Sequence, residues 1–230
     1  MLSKEIEYKK NKLKIENNCL IKFLKKYQAA SGRKNIKFEK ILEKTKNNNL
    51  VLNIGAGNDK KQRNLINIDI VLKNNINVFC DCEHLPFKDN VFSAVILKYV
   101  IHHIKNPQKC VDEAHRVLKQ NSEIITAVPF IEPYHPNPTD YYRYTLPGLE
   151  LLFQKFEKIE SSIIGSPGST LAEFMKKFFI TFFQNILLRK IIRFISGWLF
   201  MPLKYLDCIF EKRAFSFFAA YGVYFYGRKK

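Results

Sequence analysis

The sequence predicts an open, mostly parallel α/β sheet of seven strands with helices on both faces. Three observations predict it. Short apolar runs alternate with helical stretches over residues 50–128, the first run ends in Gly55-Ala56-Gly57, and the second ends in Asp69. Strands that alternate with helices need crossover connections, which lay the strands parallel and cover the sheet with helices. The chain has 230 residues, 47% hydrophobic and 26% charged, enough to bury one such domain with some decoration.

The elements follow in chain order. Residues 1–47 are Lys-rich with Leu13, Leu20, Ile21, Leu24, Ile41 and Leu42 at helical spacing, and predict a basic helical extension broken near Ser31-Gly32. Leu50 to Ile54, Leu65 to Ile70, Ile76 to Cys80 and Phe92 to Leu97 predict four strands. Asn106-Pro107 opens a helix, with Asn as cap and Pro at the first turn, where a missing N–H is tolerated. Its apolar stripe is Val111, Ala114, Val117 and Leu118. Glu123 to Val128 is a fifth strand. Residues 129–148 form a loop with five prolines, and a loop this long is usually functional. Leu149 to Phe156 reads as a helix, Lys158 to Ile164 as a strand, residues 169–211 as an apolar helical insertion, and Phe215 to Tyr226 as the last strand. The sheet domain is thus expected over residues 48–168 and 212–230.

Net charge is +17, from 38 Lys and Arg against 21 Asp and Glu. That favours anionic partners, although a chain rich in Lys, Asn, Ile and Phe also carries the bias of AT-rich coding. The five scattered cysteines predict a reducing cytosol rather than a disulfide framework. The charged first ten residues lack the apolar core of an export signal, so a cytoplasmic location is expected.

A strand ending in Gly55-x-Gly57 turns sharply and leaves room for a ligand, while loop amides suit an anionic group. The third glycine of a dinucleotide fingerprint is absent, which argues against NAD. Asp69 can accept both hydroxyls of a ribose, or cap a turn. The run VFCDCEHLPFKDNVFSAVI, residues 78–96, then resembles class I S-adenosylmethionine-dependent methyltransferases, in the type 11-like group that reads D-x-x-x-LPF-x-D-x-x-FD. The resemblance continues through Lys98 to Ile104 and through Asp112 to Lys119, similar to the family's E-x-x-RVLKP helix. It spans about residues 50–130.

The resemblance implies a Rossmann-like fold, S-adenosylmethionine as cofactor and methyl transfer as activity. Gly55 and Gly57 would line the methionine end, Asp69 would hold the ribose, and Asp81 and Cys82 would flank the adenine. Lys98 and Tyr99 would sit beside the transferred methyl. Asn53 stands where the family has an acidic residue, Ser93 where it often has a second Asp, and the short stretch from Gly57 to Asp69 implies a trimmed helix.

Two patterns mislead. Asp112-Glu113-Ala114-His115 spells a helicase box, but no GxxxxGK[ST] phosphate loop accompanies it. Cys80 and Cys82 lack a second ligand pair, and alternate residues at a strand end point apart, so no metal is expected.

The loop Pro133 to Thr145 offers His135, Asp140, Arg143 and four tyrosines at the carboxyl edge of the sheet, where open α/β folds bind ligands. Aromatic faces with carboxylate and Arg hydrogen bonds suit sugars. The loop also resembles the H-x-x-P-x-DYxRYT segment of methyltransferases of cell-surface glycan synthesis, which implies substrate contacts from Tyr141, Tyr142 and Arg143. Methylating a hydroxyl needs a base, and the candidates are His102, His103, His135 and Asp140, with His135 and Asp140 preferred and His103 alternatively structural. The apolar runs Phe178 to Leu188 and Phe194 to Leu203 are too short to span a bilayer and carry Arg and Lys between them. They suit a helix in a membrane interface, a buried cap or a dimer interface.

The expected function is methyl transfer to a small-molecule, glycan or lipid-linked acceptor, at a hydroxyl oxygen, with peripheral contact to an anionic membrane. The alternatives are an RNA methyltransferase, favoured by the charge, and a non-catalytic binding module, favoured by Asn53. Val128-Pro129-Phe130 after the fifth strand lacks the Asn/Asp-Pro-Pro-Tyr pattern of amino-directed DNA chemistry.

Overall fold

The structure is a computed structural model that describes residues 38–43, 49–210 and 213–230. The expected N-terminal helices fall outside these residues, except for α1 (Phe38–Glu43). The strands are β1 (Val51–Ile54), β2 (Leu65–Asp69), β3 (Val78–Phe79), β4 (Phe92–Lys98), β5 (Leu118–Pro129), β6 (Phe156–Ile164) and β7 (Gly222–Lys229). They form one open sheet in the order β3-β2-β1-β4-β5-β7-β6. The first five run parallel, while β7 is antiparallel to both β5 and β6. This is the Rossmann-like architecture read from the sequence.

Side chains alternate across the sheet, as a period of two requires. Leu52, Ile54, Val95 and Leu97 point to one face, where α2 (Pro107–Val117) covers them with Cys110, Val111, Ala114 and Val117. Leu149 of α3 (Leu146–Leu152) joins the same layer. Val51, Ala94, Ile96 and Ile125 point to the other face, against Phe38 and Ile41 of α1. Between β6 and β7 the chain forms α4 (Pro167–Thr181), α5 (Ile186–Leu199), a 3-10 turn (Met201–Leu206), the short α6 (Asp207–Phe210) and a second 3-10 turn (Ala214–Ala219). No helix among the described residues is long and apolar enough to cross a membrane.

Four expectations are corrected. The β1–β2 crossing is not a trimmed helix but a loop, residues 55–64, held by an asparagine web. Asn75 Nδ2 donates to the carbonyls of Gly57 and Asp59, and Asn67 Nδ2 to those of Lys60 and Asn75. Side-chain amides therefore satisfy backbone groups that a helix would pair internally. The third strand shrinks to Val78–Phe79. Asn106 does not cap α2 through its side chain, because its backbone N–H and Nδ2 both donate to Glu83. Phe215 to Ala219 are not strand, since β7 begins at Gly222. The periodic apolar spacing there belongs to a 3-10 turn with exposed phenylalanines.

Candidate cofactor and acceptor site

The carboxyl ends of β1, β2, β3, β4 and β5 bring the sequence-predicted residues to one edge. At β1, Gly55 (φ +65°) and Gly57 (φ +55°) take left-handed conformations. A Cβ on Gly55 would lie 2.3 Å from Val100 Cγ2. Glycine is thus required by backbone angle and by space together. Asp69, at the end of β2, accepts from the N–H of Gly57 (2.9 Å) and of Val71 (2.9 Å). It shapes the glycine loop, and each oxygen keeps acceptor capacity for a ligand hydroxyl.

Asn53 is buried on the α1 face. Its Nδ2 donates to Asn67 Oδ1 (3.0 Å) and Asp59 Oδ2 (3.3 Å), while its Oδ1 has no partner among the described residues. Asn53 lines a cleft of about 190 Å³ with Phe38, Asp59, Leu65, Ile96 and Lys98. The absent crossover helix leaves this space open. Lys98 reaches Asp59 at 3.6 Å across it. Tyr99 has φ +55° and packs against the same face, its backbone N–H held by the Ala127 carbonyl.

Asp81 is exposed and caps its own turn through Glu83 N–H. Cys82 instead packs into the core beside Cys110, and that contact with burial holds the Cys110 thiol well above its ordinary range. Burial likewise raises the Cys80 thiol to about 11. The LPF turn that follows is anchored by residues the sequence reading did not assign. Arg116 donates to the Phe87 and Leu85 carbonyls, Asp89 and Glu113, and Glu113 accepts from Leu85 N–H. The i, i+3 spacing of Glu113 and Arg116 was the available signal.

After β4, a 3-10 turn (Ile101–His103) faces the loop that follows β5. His102 O accepts from Tyr141 N–H (2.8 Å), and Tyr142 Oη donates to Lys105 O (2.9 Å), which fastens the loop down. His103 Nδ1 lies 2.9 Å from Thr139 O. A carbonyl only accepts, so Nδ1 carries the proton and Nε2 holds the lone pair. The His135 ring stands edge-on to His103, with centroids 6.4 Å apart. Asp140 is bound by both terminal nitrogens of Arg143 and by His135 N–H. Despite burial, these partners hold its carboxyl below the usual range. Asp140 therefore acts as an anchor for the loop rather than as a ready proton acceptor. Glu132, Tyr134, Asp140, Tyr141, Tyr142 and Arg143 line an open cavity of about 250 Å³. His102, His103 and Asp140 also place three donor atoms within 4.8 Å of one another, but a cation there would compete with Arg143 for the same carboxylate.

His102 is buried, with Nδ1 unpartnered among the described residues. Burial first, then neighbouring His103, lowers its pKa from 6.5 to about 3. The folded protein thus excludes a proton that the unfolded chain binds below about pH 6.5. This stability is complete above that value and is lost as pH falls toward the folded pKa. Denaturant titrations at pH 7.5 and pH 5 should show a loss of about 2 kcal/mol that a His102→Gln variant lacks. Equal losses in both proteins would show that His102 is not the group responsible.

Residues 50–126 match the model of the "Methyltransferase domain" family. The ubiquinone/menaquinone biosynthesis C-methyltransferase UbiE of Desulfotalea psychrophila is 30% identical over 95 residues, 40% of this chain and 37% of that protein. An uncharacterized protein of Methanocaldococcus jannaschii is 41% identical over 46 residues, 20% of this chain and 22% of its own length. The chain therefore spans well under half of either curated relative. Among solved structures, MccD protein superposes with TM-score 0.53 at 13% identity, covering 88% of this chain and 100% of that one. The [4+2]-cyclase SpnF gives 0.50 at 15% identity, covering 83% and 80%. These superpositions speak for the fold alone. The glycine turn, Asp69 and the LPF turn thus lie together in the one stretch, residues 50–126, that is similar to the methyltransferase domain of the type 11 group.

Proposed function

We propose that the protein transfers a methyl group from S-adenosylmethionine to a hydroxyl oxygen of a glycan or lipid-linked small acceptor. The observation that supports it is the placement of His103, whose Nδ1 lies 2.9 Å from the Thr139 carbonyl, so that a neutral ring donating there keeps Nε2 as an acceptor, beside a loop of tyrosines and an Arg–Asp pair.

The residues fit the cofactor. The unpartnered Asn53 Oδ1 is a buried acceptor suited to an ammonium group. Gly55 and Gly57 keep side chains away from the methionine end, Asp69 takes the ribose hydroxyls, and Asp81 takes the adenine amine. Cys82 contributes its backbone and an apolar floor, because its side chain is in the core. Lys98 and Tyr99 border the transfer site. When bound, the cofactor supplies an electrophilic methyl carbon on a sulfonium. The protein's task is then to orient the acceptor and remove its proton. His103 Nε2 accepts the hydroxyl proton, His135 is the alternate base, and Asp140 and Arg143 hold the loop. Tyr141 and Tyr142 offer exposed ring faces to a sugar, with Arg143 hydrogen-bonding its hydroxyls.

The proposed organisation keeps residues 48–168 and 212–230 as the transfer domain, 1–47 as a basic extension and 169–211 as an insertion. The proposed location is the cytoplasm, peripheral on a membrane. Calorimetric titration with S-adenosylmethionine and S-adenosylhomocysteine tests the base of the proposal. Micromolar-range binding is expected, weakened on the order of 10- to 100-fold in Asp69→Ala, which loses a ribose acceptor and the Gly57 contact. Absent binding by folded protein would favour the non-catalytic module. RNA binding without transfer to glycan precursors would favour the nucleic-acid reading.

A further inference from the structure

The insertion between β6 and β7 is built inside out. The residues of α5 that are buried are Ser196 and Gly197. Leu187, Ile191, Phe194, Ile195 and Trp198 of the same helix are exposed. At 100° per residue these five share one arc; Arg189 and Arg193 lie on the opposite side, which Ser196 and Gly197 share one turn further on, and Lys190 flanks the apolar arc, all three bases being exposed. α4 exposes Leu171, Phe174 and Phe178, with Phe182 just past its end, while its buried residues are Gly168, Ser169, Thr170, Ala172, Lys176 and Ile180. Phe215, Phe217 and Phe218 of the second 3-10 turn add to the exposed aromatic surface. An ordinary surface helix does the reverse, so something apolar must cover this face.

Charge identifies the cover. The acids between residues 167 and 210 are Glu173, paired with Lys176 at 2.6 Å, and Asp207, buried against Ser169. The exposed charges of this stretch are therefore all basic. A second copy of the chain would offer no exposed acid from this stretch to pair with these bases, and the Lys-rich residues 1–37 are themselves net basic, whereas anionic headgroups supply the counter-charge. With 14 residues, α5 is about 21 Å long, short of a bilayer's apolar core. An apolar arc opposite a basic arc is the form of a helix lying in the plane of a membrane interface.

We propose that α5, with the exposed phenylalanines of α4 and of the second 3-10 turn, seats the protein in one leaflet of an anionic bilayer. Arg189, Lys190 and Arg193 then meet the headgroups while the apolar arc enters the acyl boundary. This surface deepens the reading of a lipid-linked acceptor but does not depend on it, because docking can be measured without transfer.

Trp198, the chain's sole tryptophan, is the probe. Full-length protein is mixed with phosphatidylcholine vesicles, with and without phosphatidylglycerol. A blue shift of Trp198 emission and co-sedimentation are expected with the anionic vesicles. The variant R189Q/K190Q/R193Q should bind up to on the order of a hundredfold more weakly. L187E/F194E should lose the blue shift while keeping the wild-type circular dichroism spectrum. Equal binding to neutral vesicles would overturn the anionic requirement. No vesicle binding, with a dimer that L187E/F194E dissociates in light scattering, would overturn the membrane and assign the face to a second copy.

Discussion

Gly55→Ala is expected to destabilise the fold by about 2–5 kcal/mol and to abolish cofactor binding. Two effects add. A side chain at φ +65° costs about 1–2 kcal/mol in a left-handed conformation. The new Cβ would also stand 2.3 Å from Val100 Cγ2 and 2.8 Å from Val100 Cβ, an overpacking that costs about 1–3 kcal/mol. Val100 opens the turn that carries His102 and His103, so relief of the clash by backbone movement would shift the proposed base as well. Val100→Ala in the Gly55→Ala background should recover part of the stability, because the Cγ contacts vanish while the 2.8 Å approach of the two Cβ atoms and the backbone strain persist. Thermal unfolding and calorimetric cofactor titration read the two effects separately. Wild-type stability in Gly55→Ala would show that the turn relaxes freely and that its shape does not demand glycine. Gly57→Ala should cost less, since only a backbone oxygen lies at 4.0 Å from its Cβ and the strain of φ +55° acts alone.

His103→Ala is expected to lower turnover by about 10²- to 10⁴-fold, the range of a general base, with cofactor affinity unchanged. His103→Gln is the sharper variant. Its side-chain amide can still donate to Thr139 O, so the loop stays fastened, but no basic nitrogen remains. Release of S-adenosylhomocysteine, measured with an acceptor found among glycan precursors, reports the chemistry. Turnover should fall in His103→Gln and persist in His135→Ala. Turnover retained in His103→Gln and lost in His135→Ala would transfer the base role to His135. Asp140→Asn should weaken acceptor binding more than turnover, because Asp140 holds Arg143 and the His135 backbone rather than a reacting proton.

The sequence by itself determined the sheet and its site edge. Short apolar runs, closed by Gly55-Ala56-Gly57 and by Asp69, mark strands whose carboxyl ends are local facts. The LPF turn and the i, i+3 pair Glu113–Arg116 were legible as local patterns, but that the pair anchors the turn, about thirty residues upstream, was not. Tertiary structure alone decided the rest. That Asn53 carries a buried, unpartnered oxygen depends on Asn67 and Asp59 arriving from elsewhere, and no spacing encodes it. The His103 tautomer depends on Thr139, and the anchoring role of Asp140 on Arg143, once the loop after β5 folds back over the turn after β4. The apolar period of α5 predicted an amphipathic helix, but period says only that a face exists. Which face meets the protein is settled by long-range packing, and here the small residues Ser196 and Gly197 turn inward while the aromatic arc turns out.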